Sequence, residues 1–463
     1  MADKKIVDMT TGSPLRHILG FMLPTLVGYL FQQFYSVVDT VIIGRMLGEN
    51  SLAAVGATGS INFMIIGFCM GLCSGFAIPI AQKFGAKDFV GMRKFVANSI
   101  WASAFFGSII TLVVYTLCRS ILILLHTPSD IIDESYEYIS VLFLGILVTI
   151  MYNLASGIMR SLGDSRTPVY FLLISSGLNI VLDIVMVSVM GIAGAAWATV
   201  ISQLVSGLLC ILYMKRKFTI LSLTRDEARL DMNYVGKLLY IGVPMGLQYS
   251  ITAIGSVMLQ SAVNILGSLY VASSATALKI TMFFSCPFDA LGSTAATYSG
   301  QNMGAKKLDR IGEGLRWCVI IGAVYAIVAF TVISFSTRGI VGLFLKNPSE
   351  VLLSNIGMYM KLNSACYIFL ALVNIVRFLI QGMGYSILAI LAGVFEMIAR
   401  GFSGAVLVPR FGYIAACMAS PLAWIMADIF LIIAYVVIMR KLRGREVVSS
   451  TRIINLRQPA RNS

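Results

Sequence analysis

Twelve apolar runs, each about 20 residues or longer, restrict what this chain can fold into more than any other feature. They lie at about 16–47, 53–80, 94–118, 132–159, 168–189, 192–214, 235–266, 273–300, 312–336, 351–380, 385–408 and 413–438. Runs of this length match the ~30 Å hydrocarbon core of a bilayer. With 58% apolar and 12% charged residues and a mean hydropathy of +0.86, the chain is far more apolar than a domain that must turn polar surface to water. The expectation is an all-α polytopic membrane protein with twelve transmembrane helices.

The net charge of +14 does not point to nucleic acid, because the basic residues alternate between loops. One set of loops carries Lys83, Lys87, Arg93 and Lys94, then Arg160 and Arg166, then Lys215, Arg216, Lys217, Arg225 and Arg229, then Lys306, Lys307 and Arg310. Lys4 and Lys5 precede the first span, and Arg440, Lys441, Arg443, Arg445, Arg457 and Arg461 follow the last. The opposite loops hold only Arg45, Arg119, Arg338, Lys346 and Arg410. The positive-inside rule then places both termini in the cytoplasm and the chain in the cell membrane as a multi-pass protein. The N-terminus has no signal-peptide core, and the basic tail reads as a membrane-surface anchor. The eight cysteines lie within or at the ends of apolar runs and imply no disulfide framework. His17 and His126 are the only histidines, both at run ends, and no H-E-x-x-H occurs, so an intramembrane enzyme is not expected.

The first half of the chain recurs in the second. Gln82-Lys83-Phe84-Gly85-Ala86-Lys87 is matched by Gln301-Asn302-Met303-Gly304-Ala305-Lys306, and Leu23-Pro24 by Val243-Pro244. Ser161-Leu162-Gly163 is matched by Gly382-Met383-Gly384, and Met190-Gly191 by Phe411-Gly412. Six helices per copy is an even number, so the copies enter the membrane in the same sense, as a parallel repeat. The expected domains are an N-lobe at 1–214, a cytoplasmic linker at 215–233, a C-lobe at 234–440 and a basic cytoplasmic tail at 441–463. Two facing lobes form a midplane cleft suited to alternating access.

Within the first span stands Asp39, where an ionised carboxylate costs roughly 2.5–3.5 kcal/mol on insertion scales. In the fifth span Asn179 and Asp183 are four residues apart and share one helix face. Counted from the span ends at ~1.5 Å per residue, Asp39, Asn179, Asp183, Thr199 and Ser202 reach nearly the same depth. Two carboxylates, an amide oxygen and a hydroxyl suit Na⁺ as an oxygen-only site, and suit a proton equally well. The metal set, if the ion is Na⁺, is Asp39, Asn179, Asp183 and Thr199. Gln32, Tyr35 and Asn62 fall close in depth, and Met64, Phe283 and Phe284 are candidates for a substrate cavity that accepts organic cations. Glu396 and Arg400 have i, i+4 spacing on the eleventh span and read as an intramembrane ion pair or as a contact to charged substrate. The roles of Lys279, Asp289 and Lys361 stay open.

The doubled Q-x-x-G-A-K loop, the first-span pattern L-P-x-x-x-x-x-x-F-Q-Q-x-Y-x-x-V-D-T-x-x-I-G and N-x-x-x-D in the fifth span together resemble the multidrug and toxic compound extrusion (MATE) family, in its DinF-like branch. The resemblance covers about residues 15–440. It implies a secondary active exporter that moves amphipathic organic cations outward against inward H⁺ or Na⁺. It also implies a cation-coupling role for Asp39, Asn179, Asp183 and Thr199. The seventh span reads Leu247-Gln248-Tyr249-Ser250-Ile251-Thr252, without the acid some branches carry there, which assigns coupling to the first lobe. No cofactor and no obligate protein partner is implied, and the chain is expected to act as a monomer among membrane lipids. The alternative is a lipid-linked precursor flippase of the same superfamily.

Overall fold

The computed structural model describes residues 6–125, 127–345 and 348–456. Lys4, Lys5, His126, Lys346, Arg457 and Arg461, named above, lie outside the described residues, as does the end of the 441–463 tail. The described residues are helical apart from short connections. The first lobe holds α1 (Pro14–Met46), α2 (Glu49–Gly85), α3 (Phe89–Leu124), α4 (Ile132–Leu144), α5 (Ile146–Ser161), α6 (Arg166–Met190) and α7 (Ile192–Lys217). The second holds α8 (Met232–Leu266), α9 (Ser268–Gly304), α10 (Leu308–Gly342), α11 (Glu350–Ala365), α12 (Tyr367–Gly382), α13 (Ser386–Phe402), α14 (Val408–Phe411) and α15 (Tyr413–Leu456).

Among the described residues ten spans are single helices or nearly so, and two bent pairs, each counted as one span, bring the number to twelve. The fourth predicted run breaks at Gly145, where α4 and α5 meet at 46°, and the tenth breaks at Cys366, where α11 and α12 meet at 52°. The eleventh carries a π-helical turn at Ser403–Leu407 just before Pro409, whose missing N–H cannot continue an α-ladder. The last helix also runs past the expected boundary at 440, to Leu456.

The duplication is written into the backbone. Positive φ angles recur in pairs: Gly48 (93°) with Gly267 (112°), Lys87 (58°) with Lys306 (57°), Gly163 (84°) with Gly384 (95°), and Gly191 (61°) with Gly412 (62°). Left-handed φ is costly for a residue with a Cβ. The same departure at Lys87 and Lys306 therefore marks one loop conformation used twice.

The lobes meet tightly at the face that carries the basic loops. Gly75 packs against Gly242, and a Cβ on either would strike the facing helix. At the helix ends the two Q-x-x-G motifs interlock. A Cβ on Gly85 would fall on the carbonyl of Gln301, and one on Gly304 on the carbonyl of Gln82. The glutamine amides exchange across the same axis: Gln82 Nε2 donates to the Gly382 carbonyl and Gln301 Nε2 to the Ser161 carbonyl, each at 2.9 Å. Residues 6–12 lie over this seam. Val7 N donates to Leu162 O at 3.1 Å in one lobe, Met9 N to Gln301 Oε1 at 2.9 Å in the other. Lys307 Nζ and Arg310 Nη1 hold the Thr10 and Gly12 carbonyls at 2.7 and 3.0 Å. The interlobe approaches continue up to Ser250 Oγ on the Met64 carbonyl, 3.2 Å, near the middle of α2. The protein is closed at its basic face.

The linker is pinned to α3. Arg93 Nε and Nη2 donate to both oxygens of Glu227 at 2.9 and 2.6 Å, and the Thr224 N–H adds a bond at 3.0 Å. The Arg93 guanidinium, followed by the Thr224 amide, lowers the Glu227 carboxyl from 4.5 to about 2. A carboxyl depressed in the fold stabilises it above its unfolded value and ceases to do so as the pH falls through the folded one. Hydrogen exchange at 224–231 should therefore be slow at neutral pH and rise only as the pH drops from about 4.5 toward 2.

Gly85→Ala should force the basic face open. Overpacking of this kind costs ~1–3 kcal/mol, and spin-label distances across that face should lengthen. Unchanged distances in both Gly85→Ala and Gly304→Ala would show that the glycine seam does not hold the closed state.

Candidate functional site

Two acids from different helices face each other in the first lobe. Helices α1 and α6 lie close together because Gly28 leaves room for Val169, whose methyl is 3.0 Å from where a Cβ would stand. Further along this pair, α6 presents Asn179 and Asp183 inward, 3% and 1% exposed, and α1 presents the half-buried Asp39. The Asp39 and Asp183 carboxyls are within hydrogen-bonding reach of one another. Two carboxylates are acceptors only, so neither satisfies the other unless a proton or a cation stands between them. The neighbours do not relieve this demand. Both oxygens of Asp183, both polar atoms of Asn179, Oδ1 of Asp39 and the Ser202 hydroxyl are buried without a hydrogen-bond partner.

These donors fit a proton or a hard monovalent cation. Among the described residues no three His, Cys, Asp or Glu side chains gather as for a transition metal. The set is two carboxylates with neutral amide and hydroxyl oxygens. Thr199 is half-buried on α7 and uses its proton on the Ala195 carbonyl, 3.2 Å away, which leaves its lone pairs. Ser202, one turn further on, is buried.

Of the predicted cavity residues, Tyr35 lies within electrostatic range of both acids and within hydrogen-bonding reach of Gln32. Asn62 is half-buried on α2 with Oδ1 buried and unpartnered, and Met64 supplies the carbonyl that Ser250 binds. Phe283 packs edge-on against Phe344, ring centroids 6.1 Å apart, and the Phe284 carbonyl accepts from Tyr325 at 3.0 Å. Tyr138 of α4 was missed; it lies within electrostatic range of Asp39, Asp183 and Tyr35. Its signal was a polar aromatic inside the apolar fourth run.

The second lobe has a different polar cluster. Arg400 Nη2 reaches Glu396 Oε2 at 3.2 Å, the i, i+4 pair expected from spacing, and Arg377 of α12 binds the other oxygen. All three are buried. Beside them Gln381 Nε2 donates to Gln248 Oε1 at 2.6 Å. Asp428 of α15 is buried with both oxygens unpartnered, in electrostatic range of Arg377 and Glu396. It escaped the sequence reading although an acid inside the twelfth run carries the same signal as Asp39.

Removing Glu396 would leave two buried guanidinium groups without their counter-charge. Glu396→Gln should lower stability by ~3–5 kcal/mol, the usual effect of breaking a buried pair from one side. A melting temperature in detergent equal to that of the native chain would show that the arginines reach other partners.

Comparison with known proteins gives one consistent result. The MatE family profile matches twice, over residues 24–185 and 244–405, each match starting at the proline of its lobe's first helix. "Probable multidrug resistance protein YpnP" of Bacillus subtilis is 30% identical over 318 residues, covering 66% of this chain and 69% of that protein. "Multidrug export protein MepA" of Staphylococcus haemolyticus is 23% identical over 385 residues, covering 83% and 84%. Among solved structures, an outward-facing multidrug resistance MATE family transporter superposes with a TM-score of 0.89 at 21% identity, over 96% of this chain and all of the other. A MATE crystal structure in complex with MaL6 gives 0.88 at 22%, with the same coverage.

Proposed function

Since this chain belongs to the MatE family, we propose that it is a multidrug exporter driven by inward H⁺ or Na⁺, with the Asp39/Asp183 pair as the coupling site. The family membership and the named multidrug exporters among its relatives support the transport reading. The observation that carries the coupling is the buried, acceptor-only meeting of two carboxyls in one lobe. In this reading the basic face is cytoplasmic, both termini lie there, and the closed basic face makes this the outward-facing state in the cell membrane. The chain works as a monomer without a cofactor.

The cycle follows from charge. With neither proton nor cation, Asp39 and Asp183 repel, and the α1–α6 region offers negative potential to an organic cation in the cleft, near Tyr35 and Gln32. A proton or Na⁺ arriving from outside lowers the charge of the pair from −2 to −1 and bridges the two carboxyls, supplied with oxygens by Asn179 and by Thr199 or Ser202. The cargo then loses part of its counter-charge and leaves. With its mutual repulsion relieved the pair costs less to bury, so the lobes close over it and the basic face opens. Cation and cargo must each weaken the other's binding by the same factor.

The flippase reading needs a cationic cavity for an anionic headgroup. Arg377 and Arg400 are instead held by Glu396 inside the second lobe.

Ethidium efflux from energised vesicles tests the proposal. Efflux should follow one imposed gradient, Na⁺ or pH, and vanish in Asp39→Asn. Ethidium affinity in the native protein should fall by ~5–150-fold on saturation with the coupling ion, the ordinary range of coupling energies, and should become ion-independent in the variant. Efflux by the Asp39→Asn chain equal to native would remove the pair from the mechanism.

A further inference from the structure

A large cavity lies outside the cleft, on the outer wall of the first lobe. It encloses about 660 Å³ between α3 and α7, with α5 as its floor. Its walls are apolar: Ile100, Ala104, Leu147, Met151, Leu154 and Ile211. From Leu147 to Ile158 the α5 floor rises ~16 Å at 1.5 Å per residue, about the ~15 Å that is half of a bilayer's hydrocarbon core. The groove thus has the depth of a single leaflet, and it belongs to the leaflet at the basic face.

Its mouth is built differently. Lys215 lines it and is exposed, and Arg216 and Lys217 follow it at the end of α7. The linker folds over the opening as a roof, through Leu221, Ser222, Leu223 and Phe218, the last only 2% exposed. That roof is anchored by the Arg93–Glu227 pair and by Trp101 Nε1, which donates to the Ala228 carbonyl at 3.0 Å. A tryptophan with one wet edge is characteristic of the membrane interface.

An apolar slot one leaflet deep, with ammonium and guanidinium groups at its headgroup end, matches one kind of molecule. We propose that this groove binds a single anionic glycerophospholipid of the leaflet at the basic face. One acyl chain lies along α5, and the phosphate meets Lys215 beneath the linker. A lysine stem packing on the apolar wall while its ammonium reaches the headgroup plane is ordinary behaviour at this depth. The bound lipid then becomes part of the contact between α3, α7 and the linker.

The full-length protein is tested in nanodiscs of equimolar phosphatidylglycerol and phosphatidylcholine, extracted into mild detergent and weighed by native mass spectrometry. One phosphatidylglycerol should stay with each chain. Lys215→Ala should reduce the preference for phosphatidylglycerol over phosphatidylcholine ~5-fold, the share of one basic residue at an anionic surface. Ala104→Trp, which fills the slot from an exposed position, should abolish retention; Leu147→Trp serves if that variant does not fold. Retention by both tryptophan variants equal to native, or equal retention of the two lipids by the native chain, would overturn the proposal. So would displacement of the lipid by ethidium at transport concentrations, which would make the groove a drug vestibule.

Discussion

An ionised side chain inside hydrocarbon must be met by an opposite charge, a proton or a cation, and the two lobes answer that demand in opposite ways. In the second lobe Glu396 is met from within the protein, by Arg377 of the neighbouring α12 and by Arg400 one turn along its own helix. In the first lobe Asp183 meets another acid, Asp39, and orphaned oxygens. The first arrangement gives its acid a counter-charge from within the fold. The second is completed only by a proton or a cation, and in the proposed function that requirement makes a buried charge the coupling device.

Such a device needs two arrangements of the lobes, and the repeat supplies them. Because each copy contributes the same Q-x-x-G turn, the seam at the basic face is nearly symmetric: Gln82 bonds the Gly382 carbonyl as Gln301 bonds Ser161. Bonds of this kind exchange readily for water when the seam parts, since a net hydrogen bond is worth only ~0.5–1.5 kcal/mol. Contact without side chains at Gly75, Gly85, Gly242 and Gly304 gives a fitted surface with little rotamer entropy to lose on closing. The segment from Val7 to Gly12 is bound to both lobes at once, so opening the face must release it from at least one of them.

Most of the architecture was legible because the membrane enforces it. Apolar length gave the spans, and the recurrence of Q-x-x-G-A-K the parallel lobes, which reappear as paired φ angles at Lys87 and Lys306. The breaks at Gly145 and Cys366 were not legible, since a bent span has the same hydropathy as a straight one. Asp39 and Asp183 stood out because acids in apolar runs are costly, and the depth count that set them level did not depend on their neighbours. Tyr138, Asp428 and the second arginine on Glu396 were harder to read. They come from spans whose rotation about their own axes is set by packing, which hydropathy does not report.

The divergence of the lobes explains why a symmetric scaffold can work in one direction. Had both copies kept an acid pair, each lobe would seek a cation and both would be neutralised together. Here Gly404 stands where the first lobe has Asp183, and Arg400 where it has Asn179, so the second lobe carries a fixed positive group at the level of the first lobe's variable negative one. In the proposed cycle ion binding changes the charge of one wall of the cleft and leaves the other constant. Asp428 is the exception in that quiet lobe, a buried acid with both oxygens unpartnered close to Arg377. It stands within electrostatic range of Arg377 and Glu396, beside the one-charge excess of the two arginines over that glutamate. The charged groups of the second lobe thus meet one another across α12, α13 and α15, whereas in the proposed cycle the first lobe exchanges its charge with the medium.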